Sequence, residues 1–122
     1  MPKTIMIVDD ASTLRALLRL VLTRAGFDVV EARDGREALD CLHDRQVDLL
    51  LCDINMPNMD GFSLLKALRG NARHARTPVV MLTSESGADM KRLGRALGAQ
   101  AWVVKPFHPD QVLSLVARLL PP

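Results

Sequence analysis

The stretch Asp48-Leu49-Leu50-Leu51-Cys52-Asp53 sets four apolar residues in unbroken succession and then stops on an aspartate. A strand with one wet face alternates apolar and polar residues. A strand covered by helices on both faces does not, so this run predicts a buried strand of a parallel sheet. Moving outward in both directions, comparable runs rich in Val, Ile and Leu occur at Thr4 to Val8, Asp28 to Ala32, Pro78 to Leu82 and Ala101 to Val104. Together with Asp48 to Cys52 they make five expected strands.

The intervening segments have helical spacing. Leu14, Leu17, Leu18, Val21 and Leu22 form one stripe that Gly26 can end, with Ser12 or Thr13 suited to cap its start. Asp34 precedes Ala38, Leu39 and Leu42; Leu64, Leu65 and Leu68 precede Gly70; Met90, Leu93 and Leu97 stop at Gly98. A fifth helix carries Val112, Val116, Leu119 and Leu120 after Pro109, a residue fitted to a first helical turn, behind His108 as a poor cap. Strand and helix therefore alternate five times, which calls for an α/β fold with helices on both faces of the sheet and right-handed crossovers. At 122 residues the chain is expected to form one domain, 1–122, without disulfides.

Composition excludes several classes. With 48% hydrophobic and 25% charged residues the chain is neither disordered nor membrane-embedded. Met1-Pro2-Lys3 leads into an apolar run too short for a signal peptide or a membrane span, so a cytoplasmic protein without membrane insertion is expected. Cys41 and Cys52 lack C-x-x-C spacing and read as buried, reduced thiols. The isolated His43, His74 and His108 read as surface residues, which leaves no zinc pattern. The densest basic stretch, Arg69 to Arg76, has neither interleaved aromatics nor a recognition-helix pattern, so no direct nucleic-acid binding by this domain is expected.

Ligands of open parallel sheets gather beyond the C-terminal strand ends. There the sequence places Asp9 and Asp10 after the first strand, Asp53 after the third, Thr83 after the fourth and Lys105 after the fifth. Carboxylates about 4 Å apart repel by roughly 4 kcal/mol per pair at an effective dielectric near 20. Raised pKa values, a neighbouring cation or both must offset that. Lys105 supplies one charge, and Mg2+ suits the rest because it takes one or two carboxylates, keeps waters and leaves room for a phosphate oxygen. An aspartate beside such an ion, a lysine and a hydroxyl is a reasonable acyl-phosphate site.

The carriers of this chemistry stand in four segments: VDD at Val8 to Asp10, DINMPNMDG at Asp53 to Gly61, LTSE at Leu82 to Glu85, and AWVVKPF at Ala101 to Phe107. In order and spacing the chain resembles, over essentially its whole length, the receiver domains of two-component response regulators, in particular the single-domain, CheY-like chemotaxis type. The resemblance implies a flavodoxin-like doubly wound sheet of strand order 2-1-3-4-5. It implies Asp53 as phosphoacceptor, Mg2+ held by Asp10, Asp53 and the carbonyl of Asn55 with Asp9 helping through water, and Lys105 contacting the phosphoryl group. Thr83 stands at the position of the hydroxyl that moves toward the phosphate, and Trp102 at that of the switch aromatic. The Lys105–Pro106 bond is expected to be cis.

A histidine kinase or phosphotransfer protein would donate the phosphoryl group, and the face made by the fourth helix, fifth strand and fifth helix would then bind a downstream protein. Such a chain is a signalling domain that promotes its own phosphoryl transfer and dephosphorylation, not an enzyme for outside substrates. Asn55 and Glu85 match the chemotaxis type, which implies a short-lived phosphoryl state. Two features depart from it: Trp102 is bulkier than the usual Tyr or Phe, and Ser86 to Lys91 shares little with the chemotaxis regulator's target-binding helix. An alternative is the N-terminal receiver of a longer regulator, since Leu119-Leu120-Pro121-Pro122 reads equally as a stop or as the start of a linker. A haloacid-dehalogenase-type phosphatase would carry its D-x-D after the first strand, whereas D-x-N follows the third here. A flavodoxin would need a hydroxyl-rich phosphate loop after the first strand.

Overall fold

A computed structural model describes residues 2–121; Met1 and Pro122, which bound the stretches read above for a leader and for a stop or linker, lie outside it. Ten elements alternate along the chain: β1 (Thr4–Val8), α1 (Ser12–Arg24), β2 (Asp28–Ala32), α2 (Gly35–Leu42), β3 (Leu49–Cys52), α3 (Gly61–Arg69), β4 (Val79–Thr83), α4 (Ala88–Ala96), β5 (Ala101–Val104) and α5 (Pro109–Leu119). The strands form one parallel sheet in the order β2-β1-β3-β4-β5, the expected topology.

Alternation along the strands divides the core in two. Ile5, Ile7, Leu49, Leu51, Val80 and Leu82 meet Leu18 and Leu22 of α1 and Val112 and Val116 of α5. The intervening residues Met6, Val8, Leu50, Cys52, Val79 and Met81 meet Ala38 and Leu42 of α2 and Leu64, Leu65 and Leu68 of α3, with Met90 and Leu97 at the edge. Each fully buried Leu or Ile contributes about 1.5–3 kcal/mol, so burial of the central strands on both faces is a main contribution to holding sheet and helices together.

Gly26 and Gly98 end α1 and α4 in the left-handed region, with φ of +98° and +99°. Asp34 caps α2 by accepting the Glu37 N–H. Two caps differ from expectation. Neither Ser12 nor Thr13 caps α1; Ala11 takes that place, because Asp9 reaches two residues forward and its Oδ1 accepts the Ala11 N–H at 2.9 Å. His108 proves an effective cap: its Nδ1 accepts the Asp110 N–H and Gln111 Oε1 accepts the His108 N–H, a reciprocal box that an imidazole supports when one ring nitrogen is unprotonated.

Two buried-or-exposed readings also change. His74 is buried at 3% exposure, its Nε2 lying 3.0 Å from the Leu42 carbonyl, because the segment after α3 folds back under the end of α2. His43 and His108 are exposed as expected. Cys52 is buried but Cys41 is only half-buried, since it sits at the flank of the α2 stripe. No described helix is long and apolar enough to cross a membrane.

Candidate functional site

Register brings the polar strand ends together. Val8 lies opposite Cys52, so Asp9 and Asp53 leave the sheet side by side, and the Asp53 N–H donates to the Val8 carbonyl at 3.0 Å. Thr83 lies opposite Val104, and the Lys105 N–H donates to the Thr83 carbonyl at 2.8 Å, which delivers Lys105 to the same edge. One carboxylate oxygen from each of Asp9, Asp10 and Asp53 falls within 4.8 Å of the others. Asp9 and Asp53 are buried, whereas Asp10 is exposed.

The Lys105 ammonium bridges two of the three carboxylates, with Nζ 2.6 Å from Asp9 Oδ2 and 3.0 Å from Asp53 Oδ2. Burial works against that charge, but the hydrogen bonds and negative charge of Asp9 and Asp53 outweigh it and lift the lysine above its ordinary range. Asp53 Oδ1 accepts the Ile54 N–H at 2.7 Å, so both oxygens of this carboxylate are oriented. Three carboxylates against one ammonium leave the corner short of positive charge.

The donor set fits Mg2+. It offers hard carboxylate oxygens, one of them exposed for access, while the neighbouring Cys52 side chain is packed in the core against α2 and α3, its S–H donating to the Asp53 carbonyl. Asp10 and Asp53 are the side chains that would hold the ion, with the Asn55 carbonyl joining them and Asp9 helping through water as the resemblance assigns.

Thr83 is fully buried at the end of β4, and its Oγ1 accepts the Glu85 N–H at 3.3 Å. Among the described residues its hydroxyl is thus bonded to the following loop and not to the acidic corner. Trp102 is half-buried in β5, and its indole N–H donates to the Glu85 carbonyl at 2.9 Å. Its ring lies against Phe62, centroids 6.3 Å apart, and over Gly94 of α4, where a Cβ would come 2.8 Å from the indole. The extra bulk of Trp at this position is accommodated by that glycine. The Glu85 carboxylate accepts the Asn55 side-chain N–H at 3.0 Å across the mouth of the site. The Lys105–Pro106 bond is cis.

Other contributors were not singled out by sequence. Arg15 donates to the Asp9 carbonyl at 2.6 Å and to Glu31, bracing the first acidic pair from α1. Gly61 lies so close beneath Asp53 that a Cβ would come 2.1 Å from the Asp53 carbonyl oxygen. The glycine of the D-x-N motif segment was a visible signal, but only the fold shows what it approaches.

The family model for the response regulator receiver domain matches residues 5–117. The chain belongs to the response regulator receiver family. The crystal structure of the chemotaxis response regulator CheY4 of Vibrio cholerae superposes with a TM-score of 0.93 at 38% identity, covering 98% of this chain and all of that one. Among relatives, the Protein PilG of Pseudomonas aeruginosa is 32% identical over 96% of this chain and 87% of its own length. The transcriptional regulatory protein CpxR of Escherichia coli is 42% identical over 95% of this chain, which spans only 48% of that protein. The chain is accordingly a receiver of two-component signalling and not a member of a classical enzyme family. Receiver domains in general bind Mg2+ and interact with histidine kinases or phosphotransfer proteins and with downstream targets.

Proposed function

We propose that Asp53 is the phosphoacceptor of a cytoplasmic phosphorelay switch, loaded by a histidine kinase or phosphotransfer protein. The observation that carries this reading is the Asp53 carboxylate itself, oriented through Oδ1 by the Ile54 N–H and through Oδ2 by Lys105, beside Asp9, which shares that lysine, and Asp10, for which no ion pair is described. A carboxylate oxygen of Asp53 forms the new P–O bond as the donor's P–N bond breaks and the donor imidazole picks up a proton. Lys105 neutralises charge on the transferred group, and Asp10, Asp53 and Asn55, with Asp9 through water, would hold the ion. Bound Mg2+ supplies further electrostatic stabilisation of the phosphoryl oxygens.

Output runs through Thr83 and Trp102. Moving the Thr83 hydroxyl so that it donates to a phosphoryl oxygen would stretch the bond by which its Oγ1 accepts the Glu85 N–H and disturb the loop whose Glu85 carbonyl holds the indole, and so the face of α4, β5 and α5 where a downstream protein docks. The acyl phosphate carries up to about two negative charges where the carboxylate carried one, while moving an equilibrium from 1:99 to 99:1 takes roughly 5.5 kcal/mol. A bound target completes what phosphorylation begins. The Asn55–Glu85 bridge over the site is where water access and phosphoryl lifetime would be set.

The test is intact mass after treatment with acetyl phosphate and Mg2+, comparing wild type with Asp53→Asn. One added phosphoryl group is expected in wild type alone; equal labelling of both removes Asp53 from the role. A second reading, favoured by the twofold greater length of CpxR, is an N-terminal receiver whose output domain binds DNA or catalyses a reaction. The intact mass of the native product separates the two.

A further inference from the structure

The loop from Asp53 to Asp60 would hold the ion through Asp53 and Asn55, and its two ends are fixed differently. At its base the Gly61 N–H donates to the Ile54 carbonyl at 2.8 Å, with Gly61 packed under Asp53. Its tip, Met56-Pro57-Asn58-Met59, reaches out to the start of α2. There Asn58 adopts a left-handed backbone, φ +65°, which asparagine tolerates better than most residues.

What meets the tip is Asp34. One of its oxygens, Oδ1, accepts the Glu37 N–H at 2.8 Å and caps α2; the other, Oδ2, accepts the Asn58 side-chain N–H at 2.7 Å. Beside it the Gly35 N–H donates to the Met59 carbonyl at 3.1 Å, and a Cβ on Gly35 would come 2.7 Å from Met59 Cγ. A helix cap needs a single acceptor, which Ser would supply as well as Asp. Burying a carboxylate is costly unless both oxygens are hydrogen-bonded, and Asp34 is only 3% exposed. The second oxygen is therefore committed to the loop.

We infer that Asp34 is a positioning residue for the metal-binding loop: through Asn58 it fixes the tip of the β3–α3 connection to α2 and so holds the Asn55 segment in place for the ion. This rests on the proposed role of Asp53 and Asn55 in holding Mg2+. Asp34 touches neither the ion nor the phosphoryl group. Its two oxygens make one rigid body of the α2 start and the loop tip, leaving the Asn55 backbone fixed on both sides.

Two substitutions isolate the loop contact. Asp34→Ser keeps a hydroxyl cap for α2 but loses the second oxygen, and Asn58→Gly keeps the left-handed backbone but loses the side-chain donor. Calorimetric titration of Mg2+ into the whole chain is expected to show a Kd raised about ten-fold in each variant, the lower end of what removing a ligand-orienting group costs. The double variant should bind no more weakly than either single one, because both remove the same contact. Amide exchange at Asn55 and Met56 in metal-free protein should quicken in both. Wild type that binds Mg2+ while both variants bind it equally well would overturn this inference alone. Wild type that binds no Mg2+ would overturn the proposed metal site and this inference with it.

Discussion

The Nζ of Lys105 lies 3.0 Å from Oδ2 of Asp53, 52 residues earlier in the chain, so a cation of the acidic corner is fixed to the candidate nucleophile before any phosphoryl group arrives. The same ammonium binds Asp9, and the pair hold its pKa above the ordinary lysine range despite the opposing effect of burial. A folded-state pKa that is raised means the folded protein holds this proton more tightly than the unfolded chain. The resulting stability is whole below the unfolded value of about 10.4 and is lost as pH rises through the folded one. Urea unfolding of wild type and Lys105→Met should differ by about 1–2 kcal/mol at neutral pH, the low part of the range for charged hydrogen bonds because the lysine is partly exposed. That gap should hold to about pH 10 and close above it. A gap that closes between neutral pH and about pH 9, where the lysine keeps its proton in both states, would mean the ammonium is not the group responsible.

Asp10 tests the charge imbalance from the other side. It is exposed, and no described hydrogen bond ties its carboxylate to Lys105, yet one of its oxygens lies within 4.8 Å of oxygens on Asp9 and Asp53. Asp10→Asn should therefore stabilise the protein in chelator by about 1 kcal/mol, a heavily screened fraction of the roughly 4 kcal/mol that applies at 4 Å and a dielectric near 20. In millimolar Mg2+ the order should reverse, because wild type gains stability by binding the ion and the variant gains less. Thermal unfolding with and without Mg2+ reads both signs. A variant less stable than wild type in chelator would show that repulsion is not what the corner stores.

Gly94 poses a contest of magnitudes. Glycine inside a helix is ordinarily about 1 kcal/mol worse than alanine, so Gly94→Ala at an open position would stabilise α4. Here the new methyl would stand 2.8 Å from Cζ3 of Trp102 and 3.2 Å from Cε3, against a ring already resting on Phe62 and tied to the Glu85 carbonyl. Overpacking of this kind costs typically 1–3 kcal/mol, which cancels or exceeds the helical gain. Gly94→Ala should be no more stable than wild type and should shift the emission of the single tryptophan as the indole leaves its seat. Unchanged emission with raised stability would show that Trp102 has free room to move.

What could be read from sequence, and what could not, follows from how each feature is encoded. The five strands and their parallel pairing were legible because double burial writes unbroken apolar runs such as Leu49 to Cys52, and alternation with helical stripes leaves few topologies. Asp9, Asp10, Asp53 and Lys105 were legible because polar residues ending those runs must emerge at one edge. The burial of His74 was not, since it depends on a short segment after α3 folding under α2, a contact with no periodicity. Nor could sequence show that the Thr83 hydroxyl is bonded to the Glu85 N–H, or that Asp34 serves a loop as well as a helix; a cap and a clamp are the same letter. Arg69 to Arg76 was the sharpest case, because a basic stretch looks the same whether its guanidinium groups face water or protein.

Arg69 faces protein. Its Nη1 donates to the carbonyls of Thr77 at 2.9 Å, Ala75 at 3.2 Å and His74 at 3.4 Å, and its Nη2 to the Gly98 carbonyl at 2.9 Å. Gly98, at φ +99°, lies so near that a Cβ there would come 2.6 Å from Arg69 Nε. The guanidinium thus joins the end of α3 to the turn entering β4 and to the turn that leads into β5, and burial holds its pKa below the usual arginine value. Arg69→Met keeps the apolar stem but leaves several carbonyls without a donor, each costing about 1–3 kcal/mol where water cannot replace it. The expected loss is about 2–4 kcal/mol, a fall in Tm of roughly 10 °C for a chain of this size. Arg73→Met is the control: Arg73 bonds the exposed His43 carbonyl at 2.7 Å, where water can substitute, and its loss should cost under about 1 kcal/mol. Equal stability of the two variants would return Arg69 to the solvated surface and leave the joint between α3, β4 and β5 without its clamp.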